Sequence, residues 1–282
     1  MAQHERQFLE EAEEKIKEAE KYLVKSHFPM SLFRTYDPMQ AAELFQEAAD
    51  LYNSMNMHNE AVNFFEKAAK TFAAVNCLGS KSQAAFCYLK AGDIFITNLD
   101  SSDDAVRCYE ESALFYAASG SFSIAATRRK KAAEVLIQKE EYTKAEEQLE
   151  TAIEYYTKAN MNSCATQLLD DFLKVLLKTK NYEKAAQVFL KRAVSQLDKD
   201  FYNLCAFICY YFVKGDEQMQ NIFEIIVGKK EKAIAECIIN QNNHDELIEL
   251  VTKYVDENKF RVDYIDLFDE FKKRTLPEFD IC

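Results

Sequence analysis

Large and small apolar side chains recur along this chain at helical spacing. In each copy of the pattern, an alanine is followed four residues later by a large apolar residue and, three or four residues further on, by another small one. The five copies are Ala41-Phe45-Ala48, Ala61-Phe65-Ala68, Ala105-Tyr109-Ser112, Ala145-Leu149-Ala152 and Ala185-Phe189-Ala193. This spacing puts the three side chains on one face of an α-helix, where small residues let a neighbouring helix approach. Because the last three copies start about forty residues apart, the pattern predicts a repeat of paired helices.

Helix boundaries are predicted from residues that favour turns or caps. The first helix is expected from about residue 3 to 26, and Asp37 followed by Pro38 predicts an N-cap with a proline at the first helical position. Later breaks are expected near Asn56, Gly79, Asp100, Gly120, Glu140, Asn160, Asn181, Asp200, Gly215, Gly228, Asn242 and Asn258. The result is a series of helices of about fifteen to twenty residues with very short connections.

The fold class follows from this pattern and from the scarcity of sheet-type turns. Only five glycines and three prolines occur in 282 residues, so strands are not expected. Beyond about residue 200 the alanine pattern fades, and the segment 201–212 is apolar almost all round, which is typical of a helix buried on several sides. We therefore expect an all-α protein. Residues 1–200 form a right-handed α-solenoid of antiparallel helix pairs, a tetratricopeptide-like twisted sheet, and residues 201–282 form a C-terminal helical bundle and an acidic tail that close it.

Charge and cysteine usage narrow the partners and the compartment. The net charge of −12 argues against nucleic acid as the main partner, so protein partners are expected. No apolar run approaches the length of a membrane span, and the first twenty residues are charged throughout, so neither a signal peptide nor an anchor is expected. The eight cysteines include no C-x-x-C pair and lie mostly in apolar stripes. These features predict a soluble, cytoplasmic protein with reduced thiols.

Catalytic chemistry is not predicted. The four histidines are far apart in sequence, and the glycine-rich phosphate-binding and nucleophile motifs are missing from the sequence. Asp103-Asp104 is interpreted as a helix start that favours negative charge, and Asp170-Asp171 as a solvated helix face. The cysteines are interpreted as core thiols. We expect no enzyme, no cofactor, no metal and no small-molecule substrate.

An apolar loop is predicted at residues 27–36, where helical amphipathicity is lost. Its large side chains are Phe28, Met30, Leu32 and Phe33. If all four entered lipid, the gross gain would be about 6–10 kcal/mol at roughly 1.5–3 kcal/mol each, which is a reversible attachment once ordering costs are subtracted. The alternative is that the loop folds back as part of the core, and the sequence leaves both open.

A basic run at residues 128–131 is the second candidate. Arg129 falls in the apolar stripe of its helix, so it is interpreted as structural, with its guanidinium reaching the helix edge or a carboxylate. Lys131 shares a polar face with Thr127 and is a candidate contact for an acidic partner, with a plain solvated face as the alternative. The third candidate is the tail 276–282, where acidic and large apolar residues alternate, as in a docking peptide; a frayed chain end is the alternative.

Several short motifs occur in an order that resembles a known family. They are an E-A-E-K helix, a loop with S-x-F, the segment A-A-x-L-F-x-E-A-A, F-S-I-A-A at 122–126, E-Y-Y at 154–156 and an acidic end with a penultimate aliphatic residue. Together they resemble the soluble NSF attachment proteins of the alpha type over essentially the whole chain. The resemblance implies an adaptor that binds the SNARE four-helix bundle and recruits and stimulates the hexameric ATPase NSF in vesicle trafficking.

The resemblance also implies roles for individual residues. The membrane-contact loop would carry Phe28, Met30, Leu32 and Phe33, which makes the protein peripheral on membranes. SNARE contacts would come from Arg128, Lys130 and Lys131. NSF contacts would come from Asp216, Glu217, Glu246, Glu249, Glu278, Asp280 and Ile281.

Departures from the family leave a second function open. Where the family carries basic residues, this chain has Ser121, Thr127, Gln167 and Asp171, so SNARE binding is expected to be weaker or tuned to a different bundle. The alternative function is a tetratricopeptide-like scaffold that holds peptide tails of partner proteins in a groove. Its repeat would be thirty-four residues long, and the repeat here is nearer forty.

Overall fold

The computed structural model describes residues 3–24, 36–75, 78–194, 198–240, 244–258 and 264–275, with only the backbone described at 3, 4 and 78. Helices and no strands are present within these ranges, which confirms the all-α prediction. The helices are α1 Gln3–Leu23, α2 Pro38–Ser54, α3 His58–Ala74, α4 Leu78–Thr97, α5 Ser102–Ala118, α6 Phe122–Gln138, α7 Tyr142–Lys158, α8 Asn162–Lys178, α9 Tyr182–Val194, α10 Lys199–Val213, α11 Asp216–Ile225, α12 Lys229–Ile239, α13 His244–Glu257 and α14 Ile265–Thr275.

The chain divides into two compact units, Met1–Ala165 and Thr166–Cys282. The division falls inside α8 and is set by the density of packing. The predicted boundary near residue 200 is of another kind, because it marks where the alanine pattern ends in the sequence. It stays a prediction.

The first unit is a stack of sequence-adjacent helices. Each of the helices α1 to α6 packs against the next one along the chain, as expected for an α-solenoid of antiparallel pairs. The alanine pattern supplies the contacts: Ala41, Phe45 and Ala48 are completely buried, and so are their counterparts Ala61 and Phe65. The small residues let the helix axes approach while the large side chain fills the space between them, which confirms the predicted face.

The connections repeat as regularly as the helices. After α6, the Glu140 N–H donates to the Ile137 carbonyl at 3.0 Å and the Glu141 N–H to the Leu136 carbonyl at 2.9 Å, which is the Schellman pattern. Glu140 takes the left-handed conformation that this pattern needs, with φ 59°. Positive φ recurs at the end of other helices, at Asn56, Asp100, Gly120, Asn160 and Lys180. From Asp100 to Lys180 these residues are twenty apart, so two helices with their turns give the forty-residue period.

Among the described residues, helix starts and ends lie at or near the predicted positions except at the end of α1. Asp37 caps α2 as predicted, since its Oδ1 accepts from the N–H groups of Met39 and Gln40 at 3.1 Å. Helix α1 ends at Leu23 rather than near residue 26, because the Tyr22 carbonyl accepts from the Asp37 N–H instead of continuing the helix.

The breaks predicted near Gly79 and Asp200 are confirmed, since α3 and α9 end at Ala74 and Val194 and the next helices begin at Leu78 and Lys199. Gly79 is in the first turn of α4, where a glycine costs only about 1 kcal/mol. Asp200 is in the first turn of α10, and its carboxylate accepts from the N–H groups of Val227 and Gly228.

The second unit is organised around α10. Every residue from Phe201 to Tyr210 is buried, because α9, α11, α12 and α14 all pack against this helix. The aromatic side chains of α10 contact those of α13 and α14. Phe201 is stacked on Tyr254 with 6.4 Å between the ring centres, and Tyr211 meets Phe271 edge-on with 5.3 Å between the ring centres. A helix that is apolar on all sides is therefore surrounded, as the sequence predicted.

Candidate partner-binding surfaces

The basic run of α6 is divided between the interior and the surface of the first unit. Arg129 lies inward with a side chain only 12% exposed. Its guanidinium donates to Gln148 Oε1 at 2.7 Å and lies 4.0 Å from Glu110. Burial raises the pKa of Glu110, and the nearby Arg129 charge opposes that shift. The structural role predicted for Arg129 is confirmed, since its charge is used within the helix stack.

Arg128 and Lys130 project from the same helix in different environments. The Arg128 Nε is buried and has no hydrogen-bond partner among the described residues. Lys130 is 40% exposed and pairs with Glu134 at 3.6 Å, one turn further along the same helix. An exposed ion pair of this kind contributes little to stability, so the Lys130 ammonium can leave it for another partner at small cost.

Lys131 belongs to a polar cluster that the sequence did not predict. Its ammonium lies 2.9 Å from Asp93 Oδ1 on α4 and 5.3 Å from the centre of the Tyr109 ring on α5. The Tyr109 hydroxyl donates to the same Asp93 oxygen at 2.8 Å. Burial raises the pKa of Tyr109, and the hydrogen bond to Asp93 raises it further. Lys131 and Asp93 are 39% and 42% exposed, so the pair remains accessible to solvent and to a partner.

The four positions that lack the expected positive charge carry uncharged or acidic side chains. Thr127 Oγ1 donates to the Ser123 carbonyl at 3.0 Å and lies 3.3 Å from the Tyr156 hydroxyl on α7. Ser121 is the N-cap residue of α6 and makes no side-chain capping bond. The remaining two positions are Gln167, which is exposed, and Asp171, which lies 3.9 Å from Lys174.

Exposed carboxylates lie near helix N-termini in the second unit. Asp216 and Glu217 are in the first turn of α11, and Glu246 is in the first turn of α13, where negative charge is favoured by the helix dipole. Glu249 lies one turn further along α13. All four side chains are exposed, and none of them has an ion-pair partner among the described residues. Their charges are therefore available to a basic partner.

Asp170 corrects one prediction, because it does not lie on a solvated face. Its carboxylate accepts two hydrogen bonds from Arg192, from Nε at 3.0 Å and from a terminal nitrogen at 2.7 Å. The Tyr264 hydroxyl adds a third at 3.0 Å. Arg192 is 9% exposed and lies over the Tyr202 ring. The guanidinium is buried beside α10, so a carboxylate on α8 has to turn inward to neutralise it.

The apolar loop and the acidic tail lie outside the described residues. The loop residues concerned are Phe28, Met30, Leu32 and Phe33, and the tail residues are Glu278, Asp280 and Ile281. Their roles stay predictions.

Most described thiols lie in the core. Cys87, Cys108, Cys205, Cys209 and Cys237 are buried, while Cys164 is half-buried. Burial raises the pKa of Cys87 to about 12, as it does for Cys108. The prediction of core thiols is confirmed for the five buried cysteines, since a thiol that stays protonated is neither a nucleophile nor a metal ligand.

Metal-ligand clusters and membrane-spanning helices are both absent from the described ranges. Histidine, cysteine and carboxylate side chains do not come together there in groups suited to a metal ion. Nor is any helix in that part of the chain both long and apolar enough to span a bilayer.

Comparison with known proteins identifies relatives of this chain. It is 28% identical to the vesicular-fusion protein SEC17 of Komagataella phaffii, over 71% of this chain and 70% of that protein. It is 23% identical to the alpha-soluble NSF attachment protein of Mus musculus, over 87% of this chain and 86% of that protein. It is 26% identical to the beta-soluble NSF attachment protein of Bos taurus, over 72% of this chain and 70% of that protein. The pattern of the soluble NSF attachment protein family, SNAP, matches residues 10–215, and this chain belongs to that family.

Proposed function

We propose that this protein is an adaptor that binds assembled SNARE complexes and recruits and stimulates the NSF ATPase. The observation that carries the proposal is the family match across residues 10–215, which includes all of the helices from α2 to α10. An adaptor of this type works by presenting charged surfaces on a stiff scaffold, and electrostatic complementarity sets its rate of association and its choice of partner. Cytoplasmic, peripheral membrane association through Phe28, Met30, Leu32 and Phe33 is part of the same proposal.

The SNARE contact is proposed on the basic side of α6, at Arg128, Lys130 and Lys131. The exposed pair of Lys131 with Asp93 is the adjustable element of this surface, because Asp93 holds the Lys131 ammonium 2.9 Å away and offsets its charge. The net charge of this surface falls when Lys131 is neutralised and rises when Asp93 is neutralised. The two changes should have opposite effects on association with an acidic SNARE bundle.

The test compares Lys131→Gln with Asp93→Asn in association kinetics with a purified SNARE complex. We expect Lys131→Gln to slow association and Asp93→Asn to speed it, each by about two- to fivefold at low salt and less at 0.3 M salt. Lys70→Gln on α3 changes the net charge by the same amount at a side chain 67% exposed, and it serves as the control. If all three variants associate at the wild-type rate, the basic side of α6 is not the contact.

The NSF contact is proposed at Asp216, Glu217, Glu246 and Glu249, together with the tail residues Glu278, Asp280 and Ile281. The four helical carboxylates lack ion pairs within the described part of the chain, so a basic partner gains their charge without first breaking another contact. We expect Glu217→Gln with Glu249→Gln to reduce NSF stimulation by at least fivefold while SNARE binding is retained. Glu224→Gln with Glu236→Gln removes two exposed charges elsewhere on α11 and α12 and should have little effect.

Membrane association is tested separately by flotation with liposomes. The substitutions Phe28→Ser and Phe33→Ser should abolish flotation of the protein and leave SNARE binding in solution unchanged, since they remove the apolar side chains proposed to enter lipid. Flotation that survives both substitutions would contradict the role proposed for the loop.

A further inference from the structure

A groove between α12 and α13 combines an apolar floor with a basic rim. Its floor consists of Ala233 and Ile234 on α12 and Leu250 and Tyr254 on α13. The groove has a volume of about 190 Å³. At about 30 Å³ for each water in the liquid, that is the space of about six waters, or of one large side chain. The groove therefore has the size of a pocket for a single anchor residue.

Three lysines border the groove. Lys230 pairs with Glu257, which also borders it. Lys229 and Lys253 are exposed, and neither has an ion-pair or hydrogen-bond partner among the described residues. The rim thus carries a net positive charge on a chain whose total charge is −12. The groove is therefore locally positive, although the protein as a whole is negatively charged.

The geometry of the groove is fixed by contacts on both helices. The Tyr254 hydroxyl donates to Glu231 Oε1 at 2.6 Å, which joins the floor of the groove to α12. The entry to α12 is held by Asp200, whose carboxylate accepts from Val227 N at 3.2 Å and from Gly228 N at 2.9 Å. A pre-formed pocket loses little conformational entropy on binding, so even a short ligand can be bound there.

We propose that this groove binds an acidic peptide segment of a partner protein, with one bulky apolar side chain in the pocket and flanking carboxylates on Lys229 and Lys253. A peptide fits better than an anionic membrane surface because the adjoining face of α13 is acidic. Asp245, Glu249 and Asp256 lie along that face beside Lys253, so its net charge is negative and a flat anionic bilayer would be repelled. A narrow segment lies within the groove and avoids that face.

The probe is a fluorescein-labelled pentapeptide with a central phenylalanine and two glutamates on each side, titrated against the full chain by anisotropy. We expect saturable binding that weakens at least tenfold when Lys229 and Lys253 are both changed to Glu. Lys191→Glu on α9, another exposed lysine without a partner in the described ranges, should leave the affinity within twofold of wild type. Replacing the central phenylalanine of the probe by alanine should also weaken binding at least tenfold.

A second variant tests the pocket without changing charge. Ala233→Leu fills part of the groove and should weaken binding of the same probe at least fivefold, while circular dichroism confirms that the helices remain folded. No saturable binding to the wild type, or equal binding to the wild type and the double lysine variant, would overturn the proposal. Binding of phosphatidylserine vesicles that depends on Lys229 and Lys253, without peptide binding, would overturn it in favour of a lipid surface.

Discussion

The turn after α6 requires Glu140 to take a left-handed backbone conformation, which is unfavourable for a residue with a side chain. Glu140 sits at φ 59°, and Gly120 holds the equivalent position one helix earlier at φ 81°. The left-handed conformation costs a residue with a Cβ about 1–2 kcal/mol. Glycine avoids that cost but loses about 0.5–1 kcal/mol more backbone entropy on folding. Glu140→Gly should therefore raise the free energy of unfolding by about 0.5–1 kcal/mol.

The assay is urea unfolding followed by circular dichroism at the helix minimum. With a slope of about 3 kcal/mol per molar urea, the midpoint should rise by about 0.2–0.3 M. Gln138→Gly, two residues earlier and still within α6, is the matched control, because its helical φ gives glycine only the entropic cost of about 1 kcal/mol and the midpoint should fall. Gly120→Ala should also lower the midpoint, since alanine must take positive φ there. If Glu140→Gly lowers the midpoint as Gln138→Gly does, the left-handed conformation of Glu140 does not carry the energetic cost assigned to it.

Four further outcomes are expected from the packing. Asp170→Asn removes the carboxylate charge that accepts two hydrogen bonds from the buried Arg192 guanidinium and should destabilise the second unit by about 2–4 kcal/mol in urea unfolding; a loss under 1 kcal/mol would contradict the role of that pair. Gly92→Ala should destabilise by about 1 kcal/mol instead of giving the gain of an exposed helix site, because the new Cβ would lie 2.9 Å from a ring carbon of the buried Tyr109; a higher melting temperature would contradict this. Since burial raises the pKa of Cys87 to about 12, only about one in a thousand of these thiols is ionised at pH 9, and iodoacetamide should alkylate the half-buried Cys164 before the five buried cysteines of the described ranges. The contribution of the protonated Cys87 to the free energy of unfolding is fully present below pH 9 and is lost as the pH rises towards 12. Urea unfolding across that pH range will measure this loss.

The helices and their buried faces could be predicted because their signals are local. The spacing of Ala145, Leu149 and Ala152 fixes one face of α7 whatever surrounds it, and all three side chains are buried. The apolar segment that begins at Phe201 likewise required neighbours on several sides. Side-chain periodicity is enough for such statements, since it depends on the geometry of a single helix.

The charged contacts could not be predicted because their partners are far apart in sequence. Lys131 lies 38 residues from Asp93, and Tyr264 lies 94 residues from Asp170. Which lysine finds a carboxylate depends on the angle and offset between stacked helices, and the periodicity of one helix does not contain that information. The sequence identified Lys131 as polar, but only the packing shows that Asp93 and Tyr109 share it.

The central claim, that this chain is an adaptor for NSF and SNARE complexes, is tested most directly by reconstituted disassembly. A purified fluorescent SNARE complex is incubated with NSF and ATP, with this protein as the only adaptor. We expect disassembly that depends on the protein, saturates with its concentration and is lost when ATP is replaced by a non-hydrolysable analogue. A disassembly rate that is the same with and without the protein would contradict the account.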